Sequence, residues 1–314
     1  MCAIFGFLDY GKKISDRLLT KLLRELSIAA ESRGVDATGF SYVKDGKIVT
    51  FKKAKPAHKV KLFFPKGTTA VIGHTRFTTQ GSEKHNYNNH PFEGQADGCT
   101  FALAHNGVLY NDQKLRNDLH LPDTKIETDS YIAVQLLERQ NAVDVDALKY
   151  VAETVSGSFV FTVLRNDNTL FLVKGDNPLT IWHFPELGLY VYASTFEILA
   201  HAVKTVGISA SIEPVAAEDG DIVQIKANGV VSVSAFELSV YSFFNPRWYR
   251  FADEPEDMEY VDELLLICGC YGVDREDVEL LLDIGYTCDE IEEMLLDDTL
   301  MQEALTEAKT LFEQ

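Results

Sequence analysis

The sequence predicts an α+β protein: sheets covered by helices, followed by a small all-helical unit. Three observations point there. Short apolar runs bounded by Gly, Asn, Asp or Pro recur from the start to about residue 237, the pattern of strands. Stretches with apolar residues at helical spacing fall among them, which places helices outside the sheets. The charge then changes abruptly. From Asp253 onward, 21 acidic residues face only Arg275 and Lys309, a balance of −19 that equals the charge of the whole 314-residue chain. The first 252 residues are therefore neutral overall, and a shift of this size divides the chain near residue 250.

Residues 1–11 carry Ile4, Phe5 and Phe7 and stop at Gly11, which reads as a buried strand able to tie down the terminus. Asp16–Glu31 has Leu18, Leu19, Leu22, Leu23, Leu26 and Ile28 at helical spacing, with Ser15 or Asp16 as its cap. Gly39–Val43 and Lys47–Phe51 form a hairpin across Lys44-Asp45-Gly46, because an Asp-Gly step suits the tight turn. Ala70–His74 and Thr100–His105 are strand-length apolar runs. Asp129–Gln140 and Val145–Thr154 read as helices. Strands are expected at Ser158–Arg165, Thr169–Lys174, Leu179–His183, Leu189–Ala193, Ile222–Lys226 and Val230–Glu237, with a short helix at Ser194–Lys204. Beyond them, Tyr241–Arg250 is aromatic and irregular. Met258–Tyr271, Arg275–Leu282, Thr287–Leu296 and Leu300–Phe312 read as short amphipathic helices.

Composition excludes several classes. No apolar run reaches the roughly 18–20 residues of a membrane span, and the start lacks a secretory apolar core. Five cysteines without a C-x-x-C pair fit a reduced, cytoplasmic setting. Cys268 and Cys270 read as small hydrophobes in a helix. Nothing resembles the concentrated basic stripe of a nucleic-acid binder.

Five places carry chemistry. Cys2 becomes residue one if methionine is trimmed, and one residue then owns a thiol and a free α-amine. That amine, with a reference pKa of about 7.7–8.0, can accept the thiol's proton; the alternative is a buried structural cysteine. Ser32-Arg33-Gly34-Val35-Asp36-Ala37-Thr38-Gly39 is a polar cluster or an ordinary helix-to-strand loop. Gly73-His74-Thr75-Arg76-Phe77-Thr78-Thr79-Gln80-Gly81, followed by Asn89-His90-Pro91, delivers an arginine whose planar fork suits a carboxylate, or a surface salt bridge. Ala104-His105-Asn106-Gly107 offers an amide and a glycine N–H that can converge on one oxygen, or a tight turn. Glu127-Thr128-Asp129-Ser130 opens a helix, where Asp129 is a ligand-binding carboxylate or a cap.

Taken together and in this order, these segments resemble the N-terminal-nucleophile (class II) glutamine amidotransferase domain. The resemblance continues through Ser156-Gly157-Ser158-Phe159, Gly175-Asp176-Asn177-Pro178-Leu179, Ala193-Ser194 and Glu218-Asp219-Gly220-Asp221, and so spans residues 2–237. It implies the four-layer αββα sandwich of the N-terminal-nucleophile hydrolases. It also implies that Cys2 attacks the side-chain amide of L-glutamine with its own amine as base, while Asn106 and the N–H of Gly107 form the oxyanion hole. Arg76 would hold the α-carboxylate, Asp129 the α-ammonium, and Thr79 would lie in the same binding loop. Arg33 would orient the surroundings of the nucleophile. A γ-glutamyl thioester would form, releasing ammonia, and water would free glutamate. No metal and no cofactor is expected.

The chain departs from the family pattern at Phe77 (usually Trp), Gln80 (commonly His) and Ala37 (usually Ser), and it has extra residues between His90 and His105. These bear on glutamine affinity and on closure of the 77–81 loop. No isomerase, phosphoribosyltransferase or synthetase domain follows, so the ammonia would pass to a separate acceptor synthase. Residues 238–314 are expected to be an aromatic linker and an acidic helical bundle, faintly resembling ubiquitin-associated-type domains around Asp283-Ile284-Gly285-Tyr286. Two other readings stand beside this one. One is an amidase acting on another γ-glutamyl compound; the other is a non-catalytic interaction protein docking through its acidic bundle.

Overall fold

Strand β1 (Ala3–Asp9) is buried along its whole length, and its alternating side chains define the layers on either side of it. The computed structural model describes residues 2–238, 264, 268, 273–284, 286–295 and 298–312. The chain divides into two compact units, Met1–Ser239 and Val240–Gln314.

In the first unit, helix α1 (Asp16–Ala29) starts at Ser15, whose hydroxyl accepts the N–H of Leu18. Strands β2 (Ala37–Lys44) and β3 (Lys47–Lys53) follow, joined through Asp45 and Gly46, both at positive φ as that turn requires. Next come β4 (Ala70–Arg76), β5 (Phe92–Ala96), β6 (Cys99–Leu109), α2 (Asp112–Asp118), α3 (Tyr131–Gln140) and α4 (Val145–Thr154). The unit continues with β7 (Gly157–Arg165), β8 (Leu170–Lys174), β9 (Thr180–Phe184), β10 (Leu189–Ala193) and α5 (Phe196–Val206). It closes with β11 (Glu213–Pro214), β12 (Asp221–Ile225) and β13 (Val231–Ala235). One sheet has the order β11-β9-β10-β1-β4-β2-β3 and the other β13-β12-β8-β7-β6-β5, all pairs antiparallel.

Ala3, Phe5 and Phe7 point from β1 to one side, where they meet Leu19, Leu22 and Leu26 of α1 and Ile198 and Leu199 of α5. Ile4 and Leu8 point to the other side and meet Ala102, Ala104, Val160, Leu172 and Val223 of the second sheet. That sheet turns Phe161, Val163 and Phe171 outward onto Ile132 and Leu136 of α3 and Leu148 and Val151 of α4. The layers therefore run helix, sheet, sheet, helix. Each fully buried side chain of this size stabilises the fold by about 1.5–3 kcal/mol relative to an exposed one, so the stack holds β1 rigidly.

The second unit contains α6 (Arg275–Asp283), α7 (Cys288–Met294) and α8 (Asp298–Phe312). Leu264, Cys268, Val278, Leu281, Ile291, Met301 and Leu305 share one core, and Lys309 reaches Asp277 at 2.8 Å. The aromatic stretch 241–250 and most of the helix expected over 258–271 lie outside the described residues. Among the described residues no helix is long and apolar enough to cross a membrane.

Candidate active site

Cys2 sits at the head of β1, on the end of the sheet where β4 runs out into the 77–81 loop. Its Sγ lies 3.4 Å from both the N–H and the C=O of Phe77. Its carbonyl accepts the Nε–H of Arg33 at 2.8 Å. Just past β1's start, Ile4 is held through the Ser194 hydroxyl, which accepts the Ile4 N–H at 2.9 Å. Burial pushes the thiol's pKa up, against the Phe77 hydrogen bond and the charge of Arg76, which pull it down. A thiol in that position stays protonated near neutrality and needs a base to become a nucleophile.

The segment around Arg33 lies directly under the loop. A Cβ on Gly34 would stand 2.5 Å from the carbonyl carbon of Arg76, so only glycine permits this approach. Asp36 donates its N–H to Arg76 O at 2.9 Å and accepts the N–H of Thr78 at 2.8 Å.

Arg76 is buried, not a surface ion-pair residue. Its Nη1 donates to Asn89 Oδ1 at 2.7 Å, and its Nη2 donates to the carbonyls of Gln80 and Gly81. The remaining donors, Nε–H and one Nη1–H, do not lie side by side, so no two-pronged fork is free. The guanidinium holds the loop and contributes its charge. Lys52 supports Asn89 from behind, donating to its carbonyl at 2.7 Å, and burial lowers the Lys52 amine to about 8. Thr79 is exposed on the same loop.

Asn106 and Gly107 do not form a turn. They continue β6, and their register opposite Val160 and Phe159 is kept because Gly107 adopts φ +144. A Cβ there would stand 1.8 Å from Ser158 O. The Asn106 carbonyl accepts from Asn177 Nδ2 at 3.3 Å, whereas its own side-chain Nδ2 is buried without a hydrogen-bond partner. A buried donor left unpaired is uncommon and leaves this amide free to donate to a bound acceptor. His74, which faces Ile4 across β1 and β4, donates Nε2–H to His105 O at 3.0 Å. The 105–107 peptide is thereby fixed over the first residues of β1.

Asp129 does not cap α3. Its Oδ2 reaches back to accept the N–H of Leu109 at 2.7 Å, and its own N–H donates to Gln80 Oε1 at 3.0 Å. Arg76 and Asp129 lie close enough for their charges to act on Cys2 in opposite directions. A chain of hydrogen bonds thus links Cys2 to Phe77, Gln80 to Asp129 and Asp129 to the strand that carries Asn106. Among the described residues no group of three or more His, Cys, Asp and Glu is arranged to hold a metal.

Beneath the site His74, His90 and His105 form a buried cluster, with ring centroids 4.2 Å apart for His74–His90 and 6.5 Å for His90–His105. Burial, then the charge of Arg76, lowers His74 to about 3, and burial lowers His90 and His105 as well. The native state thus refuses protons that unfolded histidines accept below about pH 6.5. Stability is therefore expected to fall as pH drops from 6.5 toward 3, by about 1.4 kcal/mol per pH unit for His74 alone. Urea midpoints at pH 7, 6 and 5 check this; a midpoint flat between pH 6 and 5 contradicts it.

The structure is a helix–sheet–sheet–helix sandwich of the α+β class expected from the sequence, with a cysteine heading a central strand and the unpaired side-chain amide of Asn106 over it. Comparison with known proteins shows what parts of the chain are similar to. Residues 74–201 match the family described as glutamine amidotransferase domain, a stretch that includes Arg76, Asn106, Gly107 and Asp129. The glutamine–fructose-6-phosphate aminotransferase (isomerizing) of Staphylococcus epidermidis is 32% identical over 191 residues, 58% of this chain and 30% of that protein. Its Geobacillus kaustophilus counterpart is 31% identical over 192 residues, with the same coverage. The match thus spans 30% of the length of these relatives. The solved glutamine phosphoribosylpyrophosphate amidotransferase from B. subtilis superposes with a TM-score of 0.58 at 21% identity, covering 76% of this chain and 50% of that one. Residues 74–201 are thus similar to a glutamine amidotransferase domain, and the solved structure shares the fold.

Proposed function

We propose that the chain hydrolyses the side-chain amide of L-glutamine with Cys2 as nucleophile. Removal of Met1 frees the α-amine of Cys2, which takes the thiol proton as Sγ bonds to the amide carbon. The carbonyl oxygen gains the negative charge and receives hydrogen bonds from Asn106 Nδ2 and the N–H of Gly107. The amine then returns the proton to the departing nitrogen, so ammonia leaves and a γ-glutamyl thioester remains. Water attacks the thioester, the thiol is regenerated, and glutamate departs. The observation that carries this reading is the buried, unpartnered amide of Asn106 fixed over the head of β1. Incubating the purified protein with glutamine and measuring glutamate and ammonia tests it; no release of either at millimolar glutamine rejects it.

In this reading Asp129 binds the α-ammonium of glutamine, and Arg76 supplies charge and a single N–H to the α-carboxylate. Asp129→Asn keeps an oxygen for the Leu109 N–H but loses the charge. Hydrogen bonds to charged groups contribute about 1.5–3 kcal/mol, so KM is expected to rise about 10- to 100-fold with kcat changed much less. Initial-rate kinetics decide this, and an equal fall in kcat reassigns Asp129 to the chemical step.

The ammonia is passed to a separate acceptor synthase, and the strongly acidic residues 253–314 favour a partner with a basic face. An extract given amide-¹⁵N glutamine and excess unlabelled ammonium tests the transfer. Label entering an amino product ahead of the ammonium pool supports it, and label appearing only as free ammonium refutes it.

A further inference from the structure

We infer that Gln80 is the positioning residue that sets the spacing between Arg76 and Asp129, and with it the selection of a free amino-acid head group. This deepens the proposed glutamine hydrolysis and rests on that reading. Gln80 is bonded to both charged residues: its backbone carbonyl accepts from Arg76 Nη2, and its side-chain Oε1 accepts the Asp129 N–H at 3.0 Å. The polarity of the side-chain bond is unambiguous, because a backbone N–H can only donate. Asp129 lies one residue ahead of Ser130, which caps α3 without a side-chain hydrogen bond, in a region where backbone donors lack partners within the helix. Gln80 supplies the acceptor that this segment otherwise lacks.

The neighbouring contacts fix the same two segments together. Gly81, at φ +70, lies so close to Glu127 and Asn88 that a Cβ would stand 3.0 Å and 3.1 Å from them. Asn88 in turn accepts the Glu127 N–H at 2.9 Å and donates to Glu127 Oε2 at 2.6 Å. Those bonds join the loop to the segment before Asp129, whereas the Gln80 carboxamide bonds to Asp129 itself. The carboxylate of Asp129 is anchored on Leu109, so the Gln80 bond orients its main chain while the Arg76 bond ties the cation to the same residue. Opposite charges held at a fixed separation match the α-carboxylate and α-ammonium of one amino acid and disfavour compounds that lack either.

The test uses full-length protein with Gln80→Met, which keeps the length and removes the acceptor, and Gln80→Glu, which restores an acceptor oxygen. A neutral hydrogen bond of this kind corresponds to about a 3- to 10-fold effect. Gln80→Met is expected to raise KM for glutamine by that factor with kcat within about 2-fold and an unchanged Tm. Competitive inhibition by L-glutamate should weaken by the same factor, while inhibition by glutarate, which lacks the ammonium, should change less than about 2-fold. Gln80→Glu should recover most of the L-glutamate affinity. Equal weakening of both inhibitors, an unchanged KM in Gln80→Met, or a lowered Tm without recovery in Gln80→Glu overturns the assignment. Should the parent protein turn over no glutamine, the hydrolysis reading fails. The positioning role is then judged on L-glutamate binding by calorimetry, where no binding, or equal binding by the parent and Gln80→Met, removes it too.

Discussion

Replacing Cys2 by alanine is expected to abolish glutamine hydrolysis, by a factor on the order of 10⁴ or more, while leaving the urea midpoint close to the parent's. The large effect follows from the loss of the atom that forms the thioester in the proposed mechanism. The small structural effect follows from geometry: the bonds that fix this end of β1 run to the Cys2 carbonyl and to Ile4, not to Sγ, whose contacts with Phe77 are long. The same position gives a stricter test. A variant with glutamate inserted between Met1 and Cys2 keeps the thiol but carries the α-amine on another residue. Because burial holds the thiol protonated, this variant should be as inactive as Cys2→Ala. Mass spectrometry paired with the ammonia assay settles it; full activity with Met1 retained rules out the amine as base.

Asn106→Ala carries the second-largest expected effect. Losing one oxyanion donor costs about 100- to 1,000-fold in kcat, with KM changed only a fewfold, because the oxygen is charged only during reaction. Stability should move the other way. The Asn106 amide is buried without a partner, and an unpaired buried donor costs about 1–3 kcal/mol. The variant's urea midpoint should therefore be no lower than the parent's. A variant both slower and clearly less stable would mean that the amide serves the fold rather than the reaction.

Much of the scaffold was legible because apolar periodicity reports burial directly. The apolar run with Ile4, Phe5 and Phe7 that stops at Gly11 marks β1 as a buried strand, and Asp45-Gly46 marks the β2–β3 hairpin. What escaped lacks such a signal. Strand β5 has Glu93, Gly94 and Gln95 at its centre and is a strand only because β6 pairs with it. Helix α2 is a short run of mostly polar residues. Within the site, Asn106-Gly107 has the composition of a turn, and only the neighbouring β7 holds it extended. The Asp129–Leu109 and Gln80–Asp129 bonds are likewise tertiary facts that no spacing announces. Asn177 was visible as part of a segment, but its bond to the Asn106 carbonyl was not.

The position of β1 has a consequence for the order of events during synthesis. One flank of this strand is closed by β4, made early, but the other is closed by β10 and by Ser194, which holds Ile4 from 190 residues away. At about 5–20 residues per second, the ribosome needs roughly 10–40 s to reach that point. Until then the head of the chain has only one neighbour, and contacts so distant in sequence form slowly. The growing chain would therefore keep its first residues open to the methionine removal that the proposed mechanism requires, over a long interval that ends when β10 docks. In the proposed mechanism the first residue must be exposed to be trimmed and enclosed to react, and strand order alone would supply both conditions in the required sequence.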